Sequence, residues 1–171
     1  KDLRSFIDAL EGEGELLRIK KEVDWDMEAG AICRRCVEID KAPTPLFEKI
    51  KGYPEGYRCL YGMLNSPKRF ALSLGLPLPE EGGLMNLLKV YREKMKDMKL
   101  LPPKYVNDGP VLENVMEGDK VDLFRFPAPI HHELDGGRYI GTADGVITRD
   151  PEEGWVNCGT YRVQLISKDT C

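Results

Sequence analysis

Gly136–Thr148 (GGRYIGTADGVIT) and Trp155–Ile166 (WVNCGTYRVQLI) decide the fold of the second half of this chain. Both runs mix β-branched, aromatic and polar residues, and Arg149-Asp150-Pro151-Glu152-Glu153-Gly154 between them is a turn. Together they predict a hairpin with a long loop. Gly141, Gly145 and Gly159 fall inside the two strands, where glycine marks a bulge or a close approach of backbone or ligand. From Val111 onward the chain is rich in Gly, Pro, Val, Ile and Thr and shows no helical period, so it reads as β-rich. Asn107-Asp108-Gly109-Pro110 is a turn or linker signal just ahead of it. We place a boundary near residue 108, between an N-terminal part, 1–108, and a β-rich part, 109–171.

The first part alternates helix and strand. Leu3, Phe6, Ile7 and Leu10 recur at i, i+3, i+4 and i+7, which predicts an amphipathic helix over residues 2–11, capped by Asp2 and closed by Gly12. Residues 15–23 (ELLRIKKEV) read as a half-exposed strand. A second helix follows Trp25, with Asp24 or Asp26 as its cap. Its apolar stripe is Ala29, Ile32, Cys33 and Cys36, extending to Val37, and Pro43 and Pro45 stop it. Leu46–Lys51 and Tyr57–Gly62 read as short strands. Ser66-Pro67 starts a brief helix that Gly75, Pro77 and Pro79 break. Gly83 opens the longest helix, whose Leu84, Leu87, Leu88, Tyr91, Met95 and Met98 predict a core-packing stripe; Pro102-Pro103 ends it. The alternation predicts a small α/β layer.

Composition narrows the function. The 171 residues carry 25 Lys and Arg against 29 Asp and Glu, a net charge of -4. An acidic chain has little electrostatic attraction for nucleic acid or anionic lipid. With 42% hydrophobic and 32% charged residues, it reads as a folded globular protein and not a disordered one. No apolar run approaches the roughly 20 residues of a membrane span, and the opening KDLRSFIDALEGEGE lacks the apolar core of a signal peptide. Cys33, Cys36, Cys59, Cys158 and Cys171 are odd in number and scattered, which predicts reduced thiols in a cytoplasm. Cys33 and Cys36 form a CxxC pair, but no second pair or suitably spaced His completes a zinc site. At i and i+3 on one helix face they are expected to be buried structural thiols. His131 and His132 follow Phe126-Pro127-Ala128-Pro129. Neighbouring residues seldom share one metal, so a loop role is expected, with His132 and Asp135 pairing locally.

Asn157-Cys158-Gly159-Thr160-Tyr161-Arg162 is the stretch richest in chemistry. Asn is a neutral oxygen donor suited to hard cations such as Mg2+ or Mn2+. Arg grips a carboxylate through two parallel hydrogen bonds. The Thr160 and Tyr161 hydroxyls, with amides near Gly159, can hold a phosphate. In a regular strand Asn157 and Arg162 point to opposite faces, so a site lined by both requires a bulge, expected at Gly159. On spacing alone, an ordinary edge strand with outward polar residues stands equally open.

Four segments taken together resemble the UbiD family, the decarboxylases that use prenylated FMN. They are Phe126-Pro127-Ala128-Pro129, Asp135-Gly136-Gly137-Arg138-Tyr139-Ile140, Ile147-Thr148-Arg149-Asp150-Pro151 and Asn157-Cys158-Gly159-Thr160-Tyr161-Arg162-Val163-Gln164. The opening Asp2-Leu3-Arg4-Ser5-Phe6-Ile7, with Leu10 and Gly14-Glu15-Leu16-Leu17-Arg18-Ile19, is similar to the family's N-terminal start. The resemblance therefore runs through the whole chain, and the Asn157–Arg162 block is its most specific part. It implies an α+β fold: a small N-terminal α/β domain, 1–108, followed by the first strands of a flavin-reductase-like split β-barrel, 109–171. Whole members add a C-terminal α/β domain that dimerises.

The resemblance also implies a chemistry. It is removal or addition of CO2 on an aromatic or α,β-unsaturated carboxylic acid, with prenylated FMN, Mn2+ and a K+ ion as cofactors. The modified flavin reacts covalently beside the substrate carboxylate and takes up electrons while CO2 leaves; an acid then returns a proton. Asn157 corresponds to a metal ligand that bridges to the cofactor phosphate. Thr160, Tyr161 and Arg162 correspond to flavin contacts, and Arg162 also orients the substrate carboxylate beside a catalytic Glu. The family's other metal ligands, a His and a Glu, and its proton donor fall beyond Cys171. The chain is thus expected to be the N-terminal third of an enzyme: a truncation, one piece of a split enzyme, or the ordered part of a longer protein. Implied partners are a small acid substrate, a flavin prenyltransferase as cofactor supplier, and either further copies of the full-length chain or a second subunit. Two other readings stand beside this one. A non-catalytic assembly or regulatory subunit would share the fold, and its unpaired strand edge invites association. A flavin reductase-like oxidoreductase ranks lower, because no nicotinamide fingerprint is present.

Overall fold

Asp2 caps the first helix, α1 (Leu3–Gly12), in the way its place before the apolar period requires. The Ser5 N–H donates to the Asp2 carboxylate at 2.9 Å, and the Asp2 N–H donates to Ser5 Oγ at 2.9 Å. This reciprocal box satisfies two donors that a helix start otherwise leaves open. The structure is a computed structural model that describes residues 2–77, 83–102 and 104–171. Ile7 and Leu10 are the buried face of α1. Gly12 is the last helical residue, not the closing turn. The chain reverses at Gly14, φ 69°, where the Gly14 and Glu15 N–H groups reach back to the Glu11 and Leu10 carbonyls.

The remaining elements are β1 (Leu16–Ile19), α2 (Glu28–Glu38), β2 (Thr44–Phe47), β3 (Cys59–Leu60), α3 (Pro67–Leu74), α4 (Gly83–Lys96), three short 3-10 turns between Pro110 and Arg125, β4 (Tyr139–Arg149) and β5 (Val156–Gln164). Strands β1, β2 and β3 form one sheet in that order, and β4 and β5 form an antiparallel pair. Helix and sheet are mixed as expected, and the described strands close no barrel. No helix among the described residues is long and apolar enough to cross a membrane.

Three strands are shorter than the sequence predicts, or displaced from it. Val23 meets the sheet only through an isolated parallel bridge to Ile50. Middle strand β2 starts at Thr44 and runs through Pro45, a residue the sequence reads as a breaker; all four of its residues are buried. Pro45 lacks a donor but keeps its carbonyl, which accepts from the Tyr61 N–H at 3.2 Å. Burial, not propensity, places this strand.

Packing divides the chain into two compact units. The first is Lys1–Leu17, Cys36–Leu46 and Leu60–Val115; the second is Arg18–Arg35, Phe47–Cys59 and Met116–Cys171. In the first unit, Ala71, Leu76 and Leu87 form a core that Phe70, Val90 and Tyr91 cover, with the Phe70 and Tyr91 rings edge to face at 6.1 Å. Ser66 Oγ accepts from the Arg69 N–H at 3.1 Å, Pro67 takes the first turn, and Gly75 closes α3 at φ 60°. The fully buried Thr44 hydroxyl donates to the Tyr61 carbonyl. The apolar stripe of α4 is not the core-packing stripe that its period predicts. Leu87 is buried, but Leu84 and Met98 are each 56% exposed, Leu88 40% and Met95 37%. Its neighbour α3 has only eight residues and covers a single line of the stripe. Helix α4 ends at Lys96, ahead of Pro102. Pro79 and Pro103 lie outside the described residues.

In the second unit, Asp24 ties down the start of α2 through both its N–H and its carboxylate. Asp24 donates its N–H to the Glu28 carboxylate at 2.8 Å, while the Asp24 carboxylate accepts from the Asp26 N–H at 3.0 Å and from Lys51. Cys33 and Cys36 are half-buried, not buried, no disulfide joins them, and Val37 is exposed. Asp26 bridges Ile130, with Met27 N–H to the Ile130 carbonyl at 3.0 Å and Ile130 N–H to the Trp25 carbonyl at 3.1 Å. The bridge brings the His131 backbone onto α2 at Gly30, where any Cβ would overlap the His131 carbonyl. Gly30→Ala is therefore expected to destabilise the protein by about 1–3 kcal/mol, despite the roughly 1 kcal/mol that alanine gains in a helix. Thermal unfolding checks this, and an unchanged or higher midpoint would refute it.

Candidate functional site

The hairpin fixes the geometry of the candidate residues. Pairing runs without interruption from Arg149 opposite Val156 to Asp144 opposite Tyr161; after a shift, Thr142 lies opposite Arg162 and Gly141 opposite Val163, and beyond a second shift Tyr139 lies opposite Gln164. One extra residue is Ala143 of β4, at φ 65°. The bulge expected at Gly159 is absent, since Gly159 pairs regularly with Val146. Gly159 serves close approach instead: a Cβ there would overlap the Tyr161 ring. Strand alternation then places Asn157 and Tyr161 on one face with Asp144 and Val146, and Thr160 and Arg162 on the other with Thr142 and Ile147. On the first face Asn157, Asp144 and Val146 are half-buried; on the second, Ile147 is 72% and Val156 64% exposed. The four candidates thus share one strand but divide two and two between its faces. Both pairs flank the edge of β5 that carries no partner strand among the described residues.

Arg162 is exposed, and its guanidinium carbon lies 6.0 Å from the Tyr139 ring centroid. A half-buried cation of the same unit is Arg138. Its guanidinium stacks 4.0 Å from the Trp25 ring centroid, with Phe124 at 5.5 Å and Tyr53 at 5.7 Å. Nε donates to the Ala128 carbonyl at 2.7 Å, and an Nη donates to the Tyr53 hydroxyl. That hydroxyl lies within hydrogen-bond distance of the Phe124 and Phe126 carbonyls, at 2.9 and 3.0 Å. Arg138 therefore ties the Phe126–Pro129 turn to the root of β4. Spacing alone gives no reason to single it out. The one hint is a lone Arg between Gly136-Gly137 and an aromatic strand start.

The histidines take their loop role through the main chain. The His131 and His132 N–H groups donate to one Asp135 carboxylate oxygen at 3.1 and 3.0 Å. Burial holds the His131 imidazole below its ordinary pKa, and the Asp135 charge opposes this. The Cys59 thiol, 3.5 Å from the Pro127 carbonyl, is pushed up to about 11 by burial, so it stays protonated and is a poor nucleophile.

A family profile described as 3-octaprenyl-4-hydroxybenzoate carboxy-lyase N-terminal domain matches residues 7–88. The Rift-related domain of the same carboxy-lyase matches residues 104–171, which contain β4, β5 and all four candidates. The chain belongs to the UbiD family. Pyrrole-2-carboxylic acid decarboxylase of Pseudomonas aeruginosa is 38% identical over 178 residues, covering 99% of this UbiD-family chain and 35% of the relative. Vanillic acid decarboxylase of Sedimentibacter hydroxybenzoicus in its closed form matches with a TM-score of 0.85 at 34% identity, over 99% of this chain and 36% of that one. An evolved dimeric form of the UbiD-class enzyme HmfF from Pelotomaculum thermopropionicum, solved in complex with prenylated FMN, matches with a TM-score of 0.77 at 30% identity, over 98% of this chain and 36% of that one. The UbiD-family chain spans about a third of the length of these relatives.

Proposed function

We propose that this chain is the N-terminal part of a UbiD-like decarboxylase that removes or adds CO2 on an aromatic or α,β-unsaturated carboxylic acid, using prenylated FMN and a divalent metal. The reading is carried by one observation: Asn157, Thr160, Tyr161 and Arg162 share a single paired strand within the region that matches the carboxy-lyase Rift-related domain. Relatives named for pyrrole-2-carboxylic and phenolic acids, and a structural neighbour that holds prenylated FMN, support it. In this reading the linear boundary lies near residue 108, and the hairpin contributes the first strands of a split β-barrel.

Prenylated FMN, when bound, supplies the electron sink for carbon–carbon bond cleavage. The chain supplies placement. Arg162 presents a planar fork to the substrate carboxylate, and its side chain is exposed. Thr160 and Tyr161 would contact the cofactor through their hydroxyls. Asn157 offers one neutral hard oxygen to Mn2+. Such an ion takes about six ligands, so the rest of its shell comes from elsewhere than this strand. A flavin prenyltransferase supplies the cofactor, and the working enzyme is cytoplasmic and either homo-oligomeric or joined by a second subunit. The Sedimentibacter relative, solved with a separately named ShVdcD, supports the second arrangement.

The test is CO2 release, and the reverse exchange of labelled CO2, by the full-length enzyme. It is produced with a flavin prenyltransferase, supplied with Mn2+, and given pyrrole-, phenol- and alkene-carboxylic acids in turn. Turnover of at least one class is expected. A cofactor-loaded enzyme that acts on none would contradict the reading.

A further inference from the structure

The β-hairpin fixes one aromatic ring beside the candidate carboxylate-binding arginine, and nothing in the proposed function uses it. Tyr139 opens β4 opposite Gln164. Its N–H donates to the Pro129 carbonyl at 2.9 Å, and its hydroxyl lies 3.3 Å from Gln164 Oε1. Gln164 is itself held, since its Nε2 donates to the Gly136 carbonyl at 2.9 Å. The preceding residue is the anchored Arg138, whose carbonyl accepts from the Leu165 N–H at 2.8 Å. Tyr139 is thus half-buried and tied at its backbone and at its hydroxyl. Arg162, by contrast, is exposed on the same face of the hairpin, with its guanidinium carbon 6.0 Å from the Tyr139 ring centroid.

An exposed Arg samples many rotamers, and that freedom is lost when it grips a ligand. A fixed ring face narrows the choice, because the cation is drawn to the ring's negative quadrupole. The register supports this pairing. The shifts between Tyr139 and Gly141 and between Thr142 and Asp144 bring Tyr139 and Thr142 to the face that carries Arg162.

We propose that Tyr139 is a positioning residue for Arg162: its ring holds the guanidinium so that the fork is already aimed when a carboxylate arrives. The proposal rests on the reading of Arg162 as the carboxylate-binding residue, and the two fail separately. Arg162 side-chain resonances of the full-length enzyme, assigned by their loss in Arg162→Lys, are read by nuclear magnetic resonance. Cross-relaxation between the Arg162 side-chain protons and the Tyr139 ring is expected in the wild type, and its absence overturns the proposal without any variant. Tyr139→Phe should keep it, and Tyr139→Leu should leave the Arg162 signals at free-chain positions. In the full-length enzyme, Tyr139→Leu should raise KM for the acid about fivefold, the effect of losing an exposed cation–π contact, with kcat changed less. Tyr139→Phe should restore KM. An Arg162 signal and KM that are the same in Tyr139→Leu and wild type would also overturn the proposal. A full-length Arg162→Ala enzyme that still turns over normally would instead sink the functional reading and leave the ring contact standing.

Discussion

Arg162→Ala in the full-length enzyme is expected to abolish decarboxylation, by about 10²–10⁴-fold in kcat/KM, while the protein stays folded. The side chain is exposed, and the one ring it meets lies at 6.0 Å, so its removal empties no core position. In the proposed reading, it takes away the planar fork that would orient a departing carboxylate. Arg162→Lys keeps the charge but loses the fork, and should recover only a small part of the rate. Steady-state kinetics beside a circular dichroism melt separate the two effects. Near-normal turnover by Arg162→Ala would contradict the assignment, whereas a collapsed melt would make Arg162 a structural residue.

Arg69→Ala should have the largest effect on stability, about 3–5 kcal/mol. Arg69 is only 7% exposed. Its Nε lies 3.2 Å from a Glu15 carboxylate oxygen and 3.0 Å from Ser66 Oγ, and its two terminal nitrogens donate to the Gly62 and Ala42 carbonyls at 3.0 Å each. Truncation leaves those acceptors without their shared donor, in a place where water replaces it poorly. Lys68, 3.5 Å from the other Glu15 oxygen, offsets part of the lost charge but reaches neither carbonyl. A domain is typically stable by about 5–15 kcal/mol, so the loss would remove a large share. Urea unfolding of wild type and variant measures it, and a difference below about 1 kcal/mol would show that the network contributes specificity and not stability.

Local chemistry was legible wherever one residue type has one physical use. Asp2 and Ser66 cap helices because a short oxygen-bearing side chain meets free N–H groups, and Pro67 fits a first turn that needs no donor. The hairpin was equally legible from Val, Ile and Tyr around an Asp-Pro turn. Features set by tertiary partners were not. Pro45 sits in a buried middle strand because its carbonyl, and not its missing N–H, faces Tyr61. The α4 stripe is mostly exposed because, among the described elements, the short α3 is what packs on it.

The candidate site shows the same division. The sequence marks Asn157, Thr160, Tyr161 and Arg162 by residue type, and they do stand on one strand. It places the bulge at Gly159, because glycine is the residue that signals positive φ. The bulge lies instead at Ala143, a residue with no such signature. Arg138 carries no such signature either, since its cage of Trp25, Tyr53 and Phe124 is assembled from segments far apart in the chain.

The most direct measurement is the manganese and prenylated-flavin content of the full-length enzyme, by native mass and absorption, beside its Asn157→Ala variant. If Asn157 carries the metal and the Thr160–Arg162 segment the cofactor, the wild type holds both. The variant loses the metal and binds the flavin more weakly. Equal metal and flavin in the two proteins would contradict the account.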